Sequence, residues 1–469
     1  MRDLIVFLVF AAALPFCFTR PFFGLLVFSW LGYMRPQDLC WGFASTMRMS
    51  LFAGLALILG YFAREVGKRP FMRLDIRMGC ALGVVFLTIV STAFAERTDS
   101  HVVNGLIEFI KIVMIALITT GQVDSRQRLR VMVATIALCL GFFGFKGGMF
   151  GVLGGTSINR GPGGMMEDNN DFALALVMSL PMLYYLGTSE KNLLVKKFLF
   201  LTLVLTMFTI VLTHSRGGFL AMGTAFLVIV VRAGKIFRAL MLVGVAAGLF
   251  FAFAPKSVYE RYSTIQDAAQ GEEDLSVAGR FRAWEIGIRM IQHSPLLGVG
   301  HKNFQDHYGR HAAVLYPGQE FFNHVAHNSY IQMWSETGTI AFVLFMVMML
   351  STFTTASRLR RSTRHRADLD WVRPYANMVE ATTAGFMVGG FFLNRAHFDL
   401  IWHWMAIVTS LSFIVRRELA SAPAEEPASN STTVPTTAAP SREVEWRPAA
   451  AGSFHGTGFA LPRWERRTT

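Results

Sequence analysis

Charge is what this sequence has least of. Only 16% of its 469 residues are Asp, Glu, Lys or Arg, against 53% that are hydrophobic. A water-soluble domain cannot bury so much apolar material in runs this long, so the composition excludes a soluble enzyme or binding module. Cysteine is scarcer still. Cys17, Cys40, Cys80 and Cys139 lie in or beside apolar runs without paired ligand spacing, which argues against a disulfide framework or a cysteine metal centre and leaves small core residues. Acidic residues number 31 against 44 basic ones, and the net charge of +13 would point to nucleic acid in a soluble chain.

The placement of the basic residues gives a different answer. They collect in short segments between apolar runs: Arg64 to Arg77, Arg126 to Arg130, Lys191 to Lys197, Arg232 to Arg238 and Arg358 to Arg373. The alternate connections, around Arg97, Arg160, Arg216 and Arg395, hold one each. This asymmetry is the positive-inside pattern, which puts the five basic segments in the cytoplasm and the other connections outside. Basicity here reports topology and membrane lipid, and no nucleic-acid partner is expected.

The expected fold is all-α, a polytopic membrane protein of about 12 spans (12 or 13), each near the length a ~30 Å hydrocarbon core requires. The opening stretch, Leu4 to Met34, breaks at Arg20-Pro21 and reads either as one span plus an interfacial helix or as two short spans. The sequence divides into an N-terminal membrane domain (1–254), a large external loop (255–327), C-terminal membrane helices (328–417) and a tail (418–469). The tail is rich in Ala, Pro, Ser, Thr and Glu, cannot bury a core, and is expected to be disordered in the cytoplasm. Within the loop, Phe281, Trp284, Ile288 and Ile291 share one helical face, which predicts an amphipathic helix lying over the membrane domain.

The polar features fall on the outer side. His324-Val325-Ala326-His327-Asn328-Ser329-Tyr330 closes the loop and opens an apolar run. Asn328 or Ser329 can cap the helix that starts there, and the positive end of the helix dipole disfavours imidazolium at His327. His327 is then either a general base or part of an interfacial helix cap. Arg216 sits between two apolar runs with scarcely any loop, where it either snorkels to headgroups or clamps a phosphate with its guanidinium fork. Arg280 and Arg282, beside Trp284, add cationic donors, unless each is a solvated surface charge. Asp168-Asn169-Asn170-Asp171 has oxygen donors suited to Mg²⁺ or Ca²⁺ but no second acidic cluster to match, and a cap at Asp171 before Phe172 accounts for it better. Glu336, nine residues after His327, faces away from it on a helix and is expected to pair within the bundle.

These segments, in this order, resemble the O-antigen ligase and polymerase superfamily. The resemblance rests on His327-Asn328 with Gly338, Ser215-Arg216-Gly217, Gly279-Arg280 with Trp284, Pro295-Leu296-Leu297-Gly298-Val299-Gly300, and Gly161-Pro162 with Asp168-Asn169-Asn170. Arg20-Pro21-Phe22-Phe23-Gly24 and Tyr33-Met34-Arg35-Pro36 look like the branch of O-glycosylation ligases associated with exosortase A systems. The resemblance spans most of 1–417. It implies a GT-C-like membrane fold and an inverting, metal-independent, cofactor-free glycosyltransferase in the inner membrane of a Gram-negative bacterium, its active site facing the periplasm. Such enzymes move a glycan from undecaprenyl diphosphate to the hydroxyl of a glycolipid, glycan or protein acceptor. Carried over by position, Arg216 and Arg280 would bind the diphosphate and His327 would act on the acceptor. Arg282, Asn328, Arg160, Asn169 and Trp284 would contact substrate. A lipid-linked glycan polymerase uses the same parts, and the N-terminal segments favour the ligase. A flippase for polyisoprenyl-linked sugars would call for midplane charges and repeated halves, and the sequence has neither signal.

Overall fold

The structure, a computed structural model, describes residues 1–234, 275–318 and 324–421. The expected run from Leu240 to Phe253, the start of the external loop and the tail beyond Ser421 lie outside the described residues. Residues Met1–Ser421 form one compact unit.

Arg20 divides the opening stretch into two helices, α1 (Arg2–Thr19) and α2 (Pro21–Tyr33). Pro21 starts the second because its fixed φ suits a first helical position and its missing N–H would be unpaired there anyway. The Asp3 carboxylate accepts from the amides of Gly42 (2.9 Å) and Ala44 (3.1 Å). The start of α1 is thereby held beside the chain that follows α2, so the pair forms a tight hairpin. A one-turn helix, α3 (Phe43–Thr46), leads to α4 (Met49–Arg64), α5 (Ile76–Ala93), α6 (Ser100–Gln122) and α7 (Arg126–Val152). A two-stranded antiparallel hairpin, β1 (Arg160–Gly163) and β2 (Met166–Asp168), precedes α8 (Asn169–Ser189), α9 (Leu193–Leu212) and α10 (Arg216–Ala233). Most starts carry a side-chain cap: Asp75, Asp99, Ser125, Asp168, Asn192 and Ser215 each accept from an amide in the following turn.

α7 and α9 touch backbone to backbone. Gly144 and Gly148 of α7 face Thr206 and Leu205 of α9, and the Thr209 hydroxyl donates to the Gly144 carbonyl at 2.5 Å. Small residues at such a seam give the close approach that holds helices together in lipid.

Two ends of the bundle differ in chemistry. At one end the basic segments meet the acids: Arg69 pairs with Asp124 (2.7 Å), Arg126 with Glu418 (3.1 Å), Arg130 with Glu190 (2.6 Å), and Arg232 and Arg360 both with Glu380. The described residues of these basic segments are thus brought to one side. The β1–β2 hairpin, the Thr213–Arg216 turn and the described part of the external loop lie at the other.

The described loop holds α11 (Leu275–His293) and α12 (Phe304–Leu315), packed around Ala283, Ile286, Met290, Val299, Phe304, Tyr308 and Ala326. The expected helix exists, but its packing face differs from the expectation. Of Phe281, Trp284, Ile288 and Ile291 only Ile291 is buried, and Phe281 and Ile288 are exposed. The smaller residues Ala283 and Gly287 face inward because α12 and the next helix approach closely there. Arg97 with Asp306, and Arg310 with Glu96 at 2.7 Å, tie α12 to the α5–α6 turn.

The last helices are α13 (Ser329–Ser362), α14 (Val372–Gly390) and α15 (Asp399–Ala420). α13 is broken at Gly338, where φ is 84° and ψ is 173°. Pro295–Gly300 lies across the break as a strap. The amides of Val299 and Gly300 donate to the carbonyls of Ser335 (2.8 Å) and Glu336 (3.0 Å), and the Thr339 amide donates to Pro295 (2.9 Å). The run of glycine in this loop segment is explained by contact. A Cβ on Gly298 would lie 2.5 Å from the Glu336 carbonyl carbon, and one on Gly338 would overlap the Leu296 carbonyl.

Eight helices among the described residues are long and apolar enough to cross a membrane, and two shorter apolar ones, α2 and α4, accompany them. The larger count expected from the sequence also included α14 and α15. Both are of spanning length, but buried polar residues such as Glu380, Thr383, His403 and Ser410 lower their hydropathy. The chain is a multi-pass, all-α membrane protein.

Candidate active site

His327 precedes α13 in a left-handed backbone conformation (φ 47°) that residues with a Cβ rarely adopt. Asn328 supplies the cap, its side-chain oxygen accepting from the amides of Tyr330 (2.9 Å) and Ile331 (3.1 Å). The Ser329 hydroxyl does something else. It donates to the Leu393 carbonyl (2.7 Å) and accepts from the Arg395 amide (2.9 Å), locking the helix start onto the turn between α14 and α15.

The His327 imidazole is half-buried and held below the usual histidine range. Burial is the main cause, followed by the charges of Arg280 and His324, with Asp168 acting in the opposite sense. The sequence invoked the helix dipole to disfavour imidazolium here; in the structure burial and Arg280 act in that direction. Arg280 and Arg282 also separate. Arg280 acts on His327, whereas the guanidinium carbon of Arg282 lies 5.9 Å from the Tyr316 ring centroid, and Tyr316 in turn bonds Glu285.

Arg216 is the first residue of α10 and is exposed, with Ser215 accepting from the Gly218 amide at 3.1 Å. Asn169 connects this turn to the hairpin, donating from its amide group to the Thr213 carbonyl at 2.7 Å. Arg160 stands across the hairpin from Asp168 and is exposed. Trp284 packs edge-on to Phe391 (5.1 Å between centroids), and the neighbouring Phe392 lies against Gly217, beside Arg216. The contacts therefore join α11, the Arg216 turn, the hairpin and the start of α13 at one end of the bundle.

The Asp168–Asp171 stretch has structural partners. Asp168, and not Asp171, caps α8 through the Asn170 amide (2.8 Å), and Asp171 forms an ion pair with Arg395. A cavity of about 630 Å³ opens beside this assembly, lined by Val325 just before His327, by Gln332, and by the cations Arg35, Lys111, Lys302 and Arg395. Its lining also includes three residues that the reading of motifs did not bring together, His301, Glu336 and His397. Glu336 lies inside the bundle, with Nδ1 of His301 3.9 Å from its carboxylate and the Gln332 side-chain amide donating to it at 3.5 Å. The signal that could have found His301 is its position directly after the Gly298-Val299-Gly300 turn, a polar residue at the end of an apolar strap.

The arrangement offers cationic donors for an anion, a neutral imidazole able to accept a proton, and an adjoining polar cavity. Such a set can stabilise a departing phosphate while deprotonating a hydroxyl.

No curated protein matches the chain. Residues 1–191 match a family of unknown function, a stretch that includes Arg160 and Asn169. Residues 201–346, which carry Arg216, Arg280, Arg282, Trp284, His327 and Asn328, match the family described as O-antigen ligase, which supports placement in the O-antigen ligase superfamily and a membrane glycan ligase or polymerase type of function.

Proposed function

We propose that the protein is an inverting glycosyltransferase that moves a glycan from undecaprenyl diphosphate to an acceptor hydroxyl, with the acceptor seated in the cavity beside Val325. The observation that carries this reading is the placement of a half-buried His327, its proton affinity lowered by burial and by Arg280, at the same end of the bundle as the turn that presents Arg216. The acceptor oxygen attacks the anomeric carbon and its proton passes to the imidazole. As that bond forms, the bond from the anomeric carbon to the phosphate oxygen breaks, and the electron pair leaves on the diphosphate, where Arg216 and Arg280 balance the added charge. No metal takes part at the sugar-phosphate bond. Arg282, Arg160, Asn169, Asn328 and Trp284 shape the surrounding surface.

The basic end is cytoplasmic on the positive-inside rule, so the site faces the periplasm from the inner membrane. The Arg20–Gly24 and Tyr33–Pro36 segments favour the ligase of exosortase A systems over a polymerase. The test is incubation of the purified protein with undecaprenyl-diphosphate glycan and candidate acceptors, followed by identification of the product. Transfer to a non-lipid-linked hydroxyl supports the ligase, and chain extension on a lipid-linked acceptor supports the polymerase. Transfer at the wild-type level by correctly inserted His327→Ala protein rules out the base.

A further inference from the structure

We propose that His301, Glu336 and His397 form a binding site for a divalent first-row transition metal, with Zn²⁺ the best match, at the floor of the cavity. The three residues come from the strap, the first half of α13 and the turn before α15, and their ligand atoms all lie within 4.8 Å of one another. Two imidazoles and one carboxylate form a set that holds Zn²⁺ with a fourth position left open, here toward the cavity.

Independent observations point to a missing ligand. His301 is 1% exposed, yet neither of its ring nitrogens has a hydrogen-bond partner, and Nε2 of His397 has none either. Buried polar atoms are seldom left so, and an unpaired one carries the full desolvation penalty. The Gly105 carbonyl lies near enough to favour the charged His301 ring, but outside hydrogen-bonding geometry. Glu336 is 2% exposed, and among the described residues no Lys or Arg lies within ion-pair range of it. With no Lys or Arg in direct contact, a dication would give this buried carboxylate an adjacent counter-charge.

Packing agrees with this assignment. Phe109 stacks edge-on to His397 (4.6 Å) and lies 6.3 Å from His301, and Trp402 backs Phe109 at 5.0 Å. Such an aromatic wall fixes ring orientation and limits water, as the surroundings of metal sites commonly do. The Glu336 carbonyl is itself held by the Ser91 hydroxyl (2.7 Å) and the Gly300 amide (3.0 Å), so the carboxylate projects from a rigid point of the broken helix. The bound ion would tie the strap, the helix break and the α14–α15 turn together. None of its ligands is a residue assigned above to the transfer reaction.

A second histidine group, exposed His293 with buried His307 and His311, lies between α11 and α12 and is the obvious competitor in any binding measurement. The full-length protein, purified in detergent without a polyhistidine tag, is therefore equilibrated with buffered Zn²⁺ and its metal content counted by mass spectrometry. Co²⁺ is then substituted and its visible absorption recorded. One equivalent in wild type, a loss of affinity of at least about tenfold in Glu336→Gln and in His397→Ala, and retention in His293→Ala/His311→Ala are expected. Absence of bound metal in the wild type overturns the proposal whatever the variants do. So does undiminished binding in both Glu336→Gln and His397→Ala, or loss confined to the His293/His311 variant. None of these readouts depends on transfer activity.

Discussion

Gly338→Ala is the substitution whose consequence follows most directly from the geometry. At φ 84° and ψ 173° the backbone occupies a region open essentially to glycine, and forcing a side chain into it costs on the order of 1–3 kcal/mol. The new Cβ would also overlap the Leu296 carbonyl and lie 2.8 Å from the Leu297 nitrogen, so backbone must move. If the strap lifts instead, three backbone hydrogen bonds are given up: Val299 to Ser335, Gly300 to Glu336 and Thr339 to Pro295. At about 1 kcal/mol each, the two routes converge near ~3 kcal/mol. Spread over an unfolding entropy of about 2 cal/mol/K per residue, that lowers the melting temperature by roughly 3 °C. Local opening is a sharper measure, because ~3 kcal/mol accelerates hydrogen exchange at the Val299, Gly300 and Thr339 amides by about 150-fold. Gly32→Ala, on α2 with nothing within 4 Å of its added Cβ, is the control and should melt no lower than wild type. Wild-type melting together with unchanged exchange at the three amides in Gly338→Ala would refute the strap.

Arg216→Lys keeps the charge but loses the fork, and transfer should fall by about 100-fold, the scale expected for one lost transition-state donor; wild-type activity would return Arg216 to the lipid headgroups. Because His327 is held below the usual histidine range, transfer that uses it as the proposed base should persist to lower pH than an unperturbed imidazole would allow, and fail in more acid buffer. Arg280→Gln removes a charge that depresses His327, so its residual activity should lose its acid tolerance at a higher pH than wild type, readable from the pH profile at saturating donor. Asp171→Ala strands Arg395 beside a helix end and should lower the melting temperature, while Asp171→Ala/Arg395→Ala recovers part of the loss in a double-mutant cycle.

What the sequence disclosed was governed by local rules. Apolar runs and alternating basic segments reported helices and their ends, because lipid forces each backbone to satisfy itself and leaves little room for alternatives. The Arg20-Pro21 break and the Asn328 cap were readable for the same reason. Long-range packing was not. The strap motif from Pro295 to Gly300 was visible as a glycine turn, but its purpose depends on a break at Gly338 that is invisible without the fold. The inward face of α11 was misread because large apolar residues were assumed to point inward, when close helix approach favours Ala283 and Gly287. Asp168 and Asp171 each had two compatible roles, and the partner that decided between them, Arg395, lies in a distant turn. His301, Glu336 and His397 belong to three separate segments, so no spacing rule could have joined them.

The cation proposed to hold the donor also bears on the proposed base, and this gives the proposed reaction an order. In the free protein burial, and after it the charge of Arg280, lower the proton affinity of His327 relative to an exposed imidazole. A diphosphate bound to Arg280 brings negative charge to the same place, which offsets that influence and raises the proton affinity of the imidazole. His327 then becomes a stronger base when the donor is bound and remains a weak one when it is not. Binding of donor before proton abstraction is the order this electrostatic coupling favours. Titration of His327 by NMR with and without a non-transferable polyprenyl diphosphate should therefore show an upward shift on binding, and Arg280→Gln should start from a higher value and shift with a weaker affinity. A His327 resonance that titrates identically in both states would separate the base from the phosphate site and leave the order of binding without a physical cause.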